Sequence, residues 1–187
     1  MKKGKNEGKQ RIMKEIELPE GVSVSADQNI LLVKGPKGEV KRAIQRNISV
    51  KIENRKVVLE SEKETKEYKK AIGSLTAHIR NMIKGSMQNH TYALKICSGH
   101  FPMNISISVK KLIVKNFLGE KVPRVLELKE GADVKVEGDM IYVTSPSKEI
   151  AGQISAGIEQ VTRRPGYDTR IFQDGIYIVN KDGKEIK

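Results

Sequence analysis

Residues 50–61 read Val-Lys-Ile-Glu-Asn-Arg-Lys-Val-Val-Leu-Glu-Ser, and residues 134–145 read Val-Lys-Val-Glu-Gly-Asp-Met-Ile-Tyr-Val-Thr-Ser. Each stretch is two runs of alternating apolar side chains around a turn pair, Asn54-Arg55 in one and Gly138-Asp139 in the other. Alternation at period two with polar turn residues between predicts a β-hairpin with one buried face. Its recurrence predicts an internal duplication, with a period of roughly 80 residues.

Working outward extends the match. Upstream, Val22-Ser-Val24, Leu31-Leu-Val-Lys34 and Gly38-Glu39 return in the same order as Ile105-Ser-Ile107, Leu112-Ile-Val-Lys115 and Gly119-Glu120. Downstream, each hairpin leads into a helical stripe. Tyr68, Ala71, Ile72, Leu75, Ile79 and Ile83 fall at helical spacing, with Lys69, Lys70 and Arg80 on the other face. Ile150, Ile154, Ile158 and Val161 form the counterpart. Ser145-Pro-Ser147 suits a helix start, because Ser caps free amides and Pro fits the first turn. The expected fold class is α+β: two tandem duplicated domains, each an antiparallel β-sheet with an α-helix packed on one face. The expected boundaries are a basic flexible tail over 1–11, a first repeat over 12–86, a second over 87–181 and a basic end over 182–187.

Charge narrows the function. The 187 residues carry 35 Lys and Arg against 23 Asp and Glu, a net charge of +12. That excess favours a polyanionic partner. Three Phe, five Tyr and no Trp are too few for broad base-stacking platforms. Cys97 is the single cysteine, which excludes an internal disulfide and a cysteine-rich zinc site. No apolar run is long enough to span a membrane, and Met1 to Arg11 lacks the apolar stretch of a secretory signal, so a cytoplasmic protein without membrane contact is expected. No GxSxG, HExxH or Walker pattern occurs, and neither an enzyme nor a cofactor is expected. Cys97 and His100 form a lone Cys-x-x-His pair; spacing alone leaves a nucleophile there open. No helix-turn-helix or basic-zipper pattern favours DNA.

Gly35-Pro-Lys-Gly38 invites comparison with the backbone-clamping GxxG loop of KH domains. That loop joins helices, whereas this one is flanked by Ile30-Leu-Leu-Val33 and Val40, so a plain strand-connecting turn is expected. Three basic elements remain. Lys2, Lys3 and Lys5 lie in the tail; Lys111, Lys115, Lys121 and Arg124 surround the second unit's first turn; Arg163, Arg164 and Arg170 lie near the C-terminus. His100 and Asn104 join them as polar contacts. Arg163 and Arg164 also suit a helix end, where cations complement the dipole and cap carbonyls. Phe117 reads as a core anchor, and Asp174-Gly175 as a turn between strands.

These segments carry a family resemblance. Val33-Lys-Gly-Pro-Lys-Gly38, Ile79-Arg-Asn-Met-Ile-Lys-Gly85, Gly99-His-Phe-Pro-Met-Asn104, Asn116-Phe-Leu-Gly-Glu-Lys121 and Phe172-Gln-Asp-Gly-Ile-Tyr177 lie in family order over roughly residues 15–181. The chain resembles the large-subunit ribosomal protein six family (protein nine in eukaryotes), and its Phe-x-Asp-Gly-Ile-Tyr ending is similar to the archaeal and eukaryotic branch. The resemblance implies a non-enzymatic protein of the large ribosomal subunit. It implies binding to large-subunit rRNA, mainly through the second domain, near the sarcin–ricin loop and stalk base. Neighbouring ribosomal proteins and nearby translational GTPases are the further partners it implies. A ribosome-assembly or factor-docking module is the alternative. The acidic Glu60, Glu62, Glu64 and Glu67 of the first unit disfavour RNA there.

Overall fold

In this computed structural model the chain divides into two units, Met1–Gln88 and Asn89–Lys187. The structure describes residues 12–27, 29–44, 48–53, 55–61, 63–168 and 170–186.

The first unit runs β1 (Met13–Glu17), β2 (Ser23–Asp27), β3 (Ile30–Gly35), β4 (Gly38–Ala43), β5 (Ile48–Glu53), β6 (Lys56–Ser61) and α1 (Lys66–Met87). The second runs β7 (His90–Cys97), β8 (Asn104–Ser108), β9 (Lys111–Lys115), β10 (Arg124–Glu127), β11 (Asp133–Glu137), β12 (Met140–Ser145), α2 (Lys148–Val161), β13 (Gly175–Lys181) and β14 (Lys184–Glu185). The duplication is therefore topological. Each unit places its first strand beside its last pre-helical strand, β1 on β6 and β7 on β12, all antiparallel. Each also makes a separate three-stranded meander, β2-β3-β4 or β8-β9-β10.

This refines the α+β expectation: each unit builds two antiparallel sheets with one helix, rather than one sheet. The sequence pattern shows strands and turns, but the split depends on pairings between strands distant in the chain. In the second unit β13 and β14 extend the larger sheet beyond β7, giving the order β11-β12-β7-β13-β14.

Both expected hairpins form. Val50 pairs with Leu59 across the turn at Arg55, and Val134 with Val143 across Gly138-Asp139. The inward members Val57, Leu59, Ile141 and Val143 are fully buried. The helical stripes bury as their spacing requires. Ile72, Leu75, Ile79 and Ile83 of α1 face β1, β3, β4 and β6, while Ile154 and Ile158 of α2 face β7, β10, β12 and β13. Both helices begin on a hydroxyl cap: Thr65 Oγ1 accepts from Tyr68 N, and Ser147 Oγ from Ile150 N, each at 3.4 Å. Ser61 and Ser145, equivalent in the repeat, are both buried and both use their hydroxyls to hold the chain beside their strands, Ser61 on Lys63 O and Ser145 on Gly131 O.

Gly35-Pro-Lys-Gly38 is the tip of the β3-β4 hairpin, as a plain turn requires. It also docks on the end of α1. Lys37 N donates to Ser86 O at 2.9 Å, and a Cβ at Gly35 would stand 2.7 Å from that same oxygen. Glycine is needed here for close approach rather than for an unusual φ. Phe117 is 1% exposed and sits in the core of the second unit, as expected.

Candidate nucleic-acid interface

The β8-β9-β10 meander sorts its side chains by register, because directly opposed residues on antiparallel strands share a face. Leu112 and Val114 point into the core, and their partners Leu126, Ile105 and Arg124 share that face, with Ile107 exposed at its edge. The opposite face carries Asn104 against Lys115, Ser106 and the exposed Val125 against Ile113, and Ser108 and Glu127 against Lys111. Three of the sequence candidates, Asn104, Lys111 and Lys115, thus share one largely polar, exposed surface. Lys121 is exposed in the loop between β9 and β10.

The cations differ in what they already hold. Lys111 Nζ lies 3.4 Å from Glu127 Oε1. Arg170 is held by Asp168 through Nη2 to Oδ2 at 2.8 Å and Nε to Oδ1 at 3.1 Å, which keeps the Asp168 carboxyl below its ordinary range. Among the described residues, Lys115, Lys121 and Arg163 have no carboxylate within ion-pair distance. Arg164 lies 3.7 Å from Glu120 Oε1 and over the Tyr167 ring at 4.4 Å. Lys2, Lys3 and Lys5 lie outside the described residues.

Arg124 faces inward. Its Nε and Nη2 donate to the two oxygens of Glu120 at 2.8 and 2.7 Å, and Nη1 donates to Val161 O at 2.7 Å and Arg163 O at 3.3 Å. The guanidinium also lies 4.4 Å from the Phe117 ring centroid. α2 ends at Val161, before Arg163 and Arg164, so Arg124 caps the last carbonyls from another strand. The side chain ties the 3-10 turn Phe117–Gly119 to the end of α2 and thereby sets the path of 162–166.

His100 has its own anchor. Asp174 Oδ1 accepts from Gly99 N at 2.7 Å and His100 N at 3.0 Å, and Oδ2 lies 2.5 Å from His100 Nδ1. Asp174 is thus a buried acceptor that closes a loop 74 residues away, and Gly175 opens β13. The expected turn between strands at Asp174-Gly175 does not form; nothing local in Asp-Gly signals its distant partners. Burial pushes the Asp174 carboxyl up, but the His100 amide, its imidazole and the Gly99 amide outweigh that and hold it below its ordinary value. Phe172 stacks on His100 with centroids 5.0 Å apart and meets Tyr167 edge-on at the same distance. Nothing in the sequence marks Tyr167, and the Phe-x-Asp-Gly-Ile-Tyr segment alone marks Asp174.

The arrangement offers cations on a polar sheet face and at a basic corner, with amide and hydroxyl groups between them. Such a surface binds phosphates and 2′-hydroxyls. Among the described residues, no three His, Cys, Asp or Glu side chains cluster closely enough to hold a metal ion.

Comparison with known proteins decides the family. The pattern of the family described as Ribosomal protein L6 matches residues 18–88 and 101–175, one segment in each unit. The chain belongs to the ribosomal protein L6 family. It is 45% identical over 174 residues to the large ribosomal subunit protein uL6 of Methanococcus vannielii, covering 92% of this chain and 96% of that one. It is 42% identical over 171 residues to the uL6 protein of Methanosarcina mazei, covering 91% and 97%. The uL6 protein of Methanobrevibacter smithii is 41% identical over 172 residues, with 91% and 97% covered. The archaeal relatives agree with the branch that the Phe-Gln-Asp-Gly-Ile-Tyr ending resembles. As a member of this family the chain is a structural ribosomal protein and not an enzyme.

Proposed function

We propose that this chain is a structural constituent of the large ribosomal subunit that binds large-subunit rRNA, chiefly through its second unit. The observation that carries the assignment of the second unit is the exposed face shared by Asn104, Lys111 and Lys115, with Lys121 in the adjoining loop and Arg163, Arg164 and Arg170 in the segment that follows α2. Lysines and arginines neutralise phosphates and release counterions, while Asn104, Ser106 and Ser108 supply partners for 2′-hydroxyls. Arg124 and His100 act behind this surface, Arg124 on the path of 162–166 and His100 through its packing with Phe172. We further infer, from what the family resemblance implies, a position near the sarcin–ricin loop and stalk base, beside other ribosomal proteins and within reach of translational GTPases.

The first unit favours a second role. The matching face of β2-β3-β4 carries Asp27, Lys34, Glu39 and Lys41, two acids and two bases, with Lys41 3.3 Å from Glu39. A balanced face suits contact with protein, either in assembly or in factor docking.

Replacing Arg163 and Arg164 together by alanine tests the RNA site. Binding of the full chain to an rRNA fragment should weaken, and the slope of log affinity against log salt should flatten by about 1–2 units. An unchanged slope in a natively folded variant removes the pair from the interface.

A further inference from the structure

Half of the chain's eight Phe and Tyr residues line one cavity, Phe117 among them. Tyr167, Phe172 and Tyr177 line this cavity of about 480 Å³ at the end of α2, whose rim carries Arg163 and Arg164. That volume lies within the ~300–1,000 Å³ of small-ligand sites.

The walls are held in place. Phe172 is fixed between His100 and the edge of Tyr167. Tyr177 lies against Gly175, where an added Cβ would stand a tight 3.3 Å from the ring and press it outward by a few tenths of an ångström. Yet Tyr177 is 39% exposed and Tyr167 41% exposed. Half-covered rings in fixed positions offer stacking surface at little ordering cost. Glu159 adds an acceptor on the wall, and its Oε1 already takes Ile178 N at 3.2 Å.

We propose that this cup takes one unpaired nucleobase of the bound RNA, stacked on Tyr177 with its flanking phosphate on Arg163. The proposal rests on the RNA-binding reading of the second unit. A ring-lined cavity with cations at its mouth matches a nucleotide's two ends: a flat base and an anionic backbone. One cup holds one base, so a chain too poor in aromatics for a stacking platform can still read a single flipped nucleotide. Guanine is the informative probe, because its Watson–Crick edge presents two adjacent donors to an acceptor such as Glu159.

The experiment compares two RNA hairpins, identical except that one carries a single bulged guanosine in its stem. The full-length chain should bind the bulged hairpin at least about 5-fold more tightly, the lower end of what one base–aromatic stack contributes. Tyr177→Ala should abolish the preference and leave affinity for the paired hairpin unchanged; Tyr177→Phe should retain it. Tyr177→Leu, which keeps an apolar side chain in the strand but removes the aromatic face, gives the same readout if Tyr177→Ala fails to fold. Equal affinity of the native protein for both hairpins, or a preference that survives Tyr177→Ala in folded protein, overturns the cup. Failure to bind either hairpin at low salt would instead overturn the RNA-binding reading beneath it.

Discussion

Asp174→Ala should destabilise the second unit by about 2–4 kcal/mol, since hydrogen bonds to a charged acceptor contribute ~1.5–3 kcal/mol each and two backbone donors lose theirs. The carboxylate is 1% exposed and accepts from Gly99 N, His100 N and the His100 ring. Water reaches His100, which is 42% exposed, and that access keeps the loss below the full sum. The same bonds set a pH dependence. The folded carboxyl titrates below its ordinary value of 3.8, so the unfolded chain binds the proton first as pH falls. The stabilisation is therefore complete above the unfolded value and is lost as pH falls through the folded one. Denaturant titrations of wild type and Asp174→Asn between neutral pH and pH 3 separate the contributions. Asn keeps the size and one acceptor but cannot titrate, so the gap between the two proteins should close in acid. A gap that stays constant would show that the Asp174 charge does not stabilise the fold.

Arg124→Ala should cost about 2–4 kcal/mol as well, because the bidentate pair with Glu120, the cap on the end of α2 and the stacking over Phe117 all disappear with one side chain. The guanidinium side chain is 25% exposed, so solvent screens it only in part. Lysine should not rescue the variant, because one ammonium cannot span Glu120, Val161 O and Arg163 O at once. The hydrogen bond from Arg124 also holds the Glu120 carboxyl below its ordinary 4.5, so this contribution too is present above that value and fades as pH falls through the folded one. In the first unit the equivalent register position is Val40, buried against Val33 as Arg124 lies beside Val114. Where one copy has a core valine, the other thus has an arginine that braces the basic corner. An Arg124→Lys protein as stable as wild type, measured by thermal or denaturant unfolding, would contradict the bracing role.

These two residues mark the limit of what the sequence pattern reveals. The paired hairpins at 50–61 and 134–145 and both helical stripes follow from periodicity, because burying one face of a strand or helix leaves a period in the chain. Asn104, Lys111 and Lys115 could be placed on one face for the same reason. Nothing periodic marks Arg124 as inward or Asp174 as the anchor of a loop 74 residues upstream. Their roles depend on which segments the sheets bring together. β13 illustrates the point: its pairing with β7 brings Asp174 to Gly99 and Tyr177 to the cup.

The central claim is that the chain is held in the large subunit by phosphate contacts of its second unit. Co-sedimentation of the full chain with isolated large ribosomal subunits across a salt series tests it most directly. Retention at low salt and steep release as salt rises are expected, with earlier release of the Arg163→Ala, Arg164→Ala protein. Absence from the large subunit at low salt would contradict it.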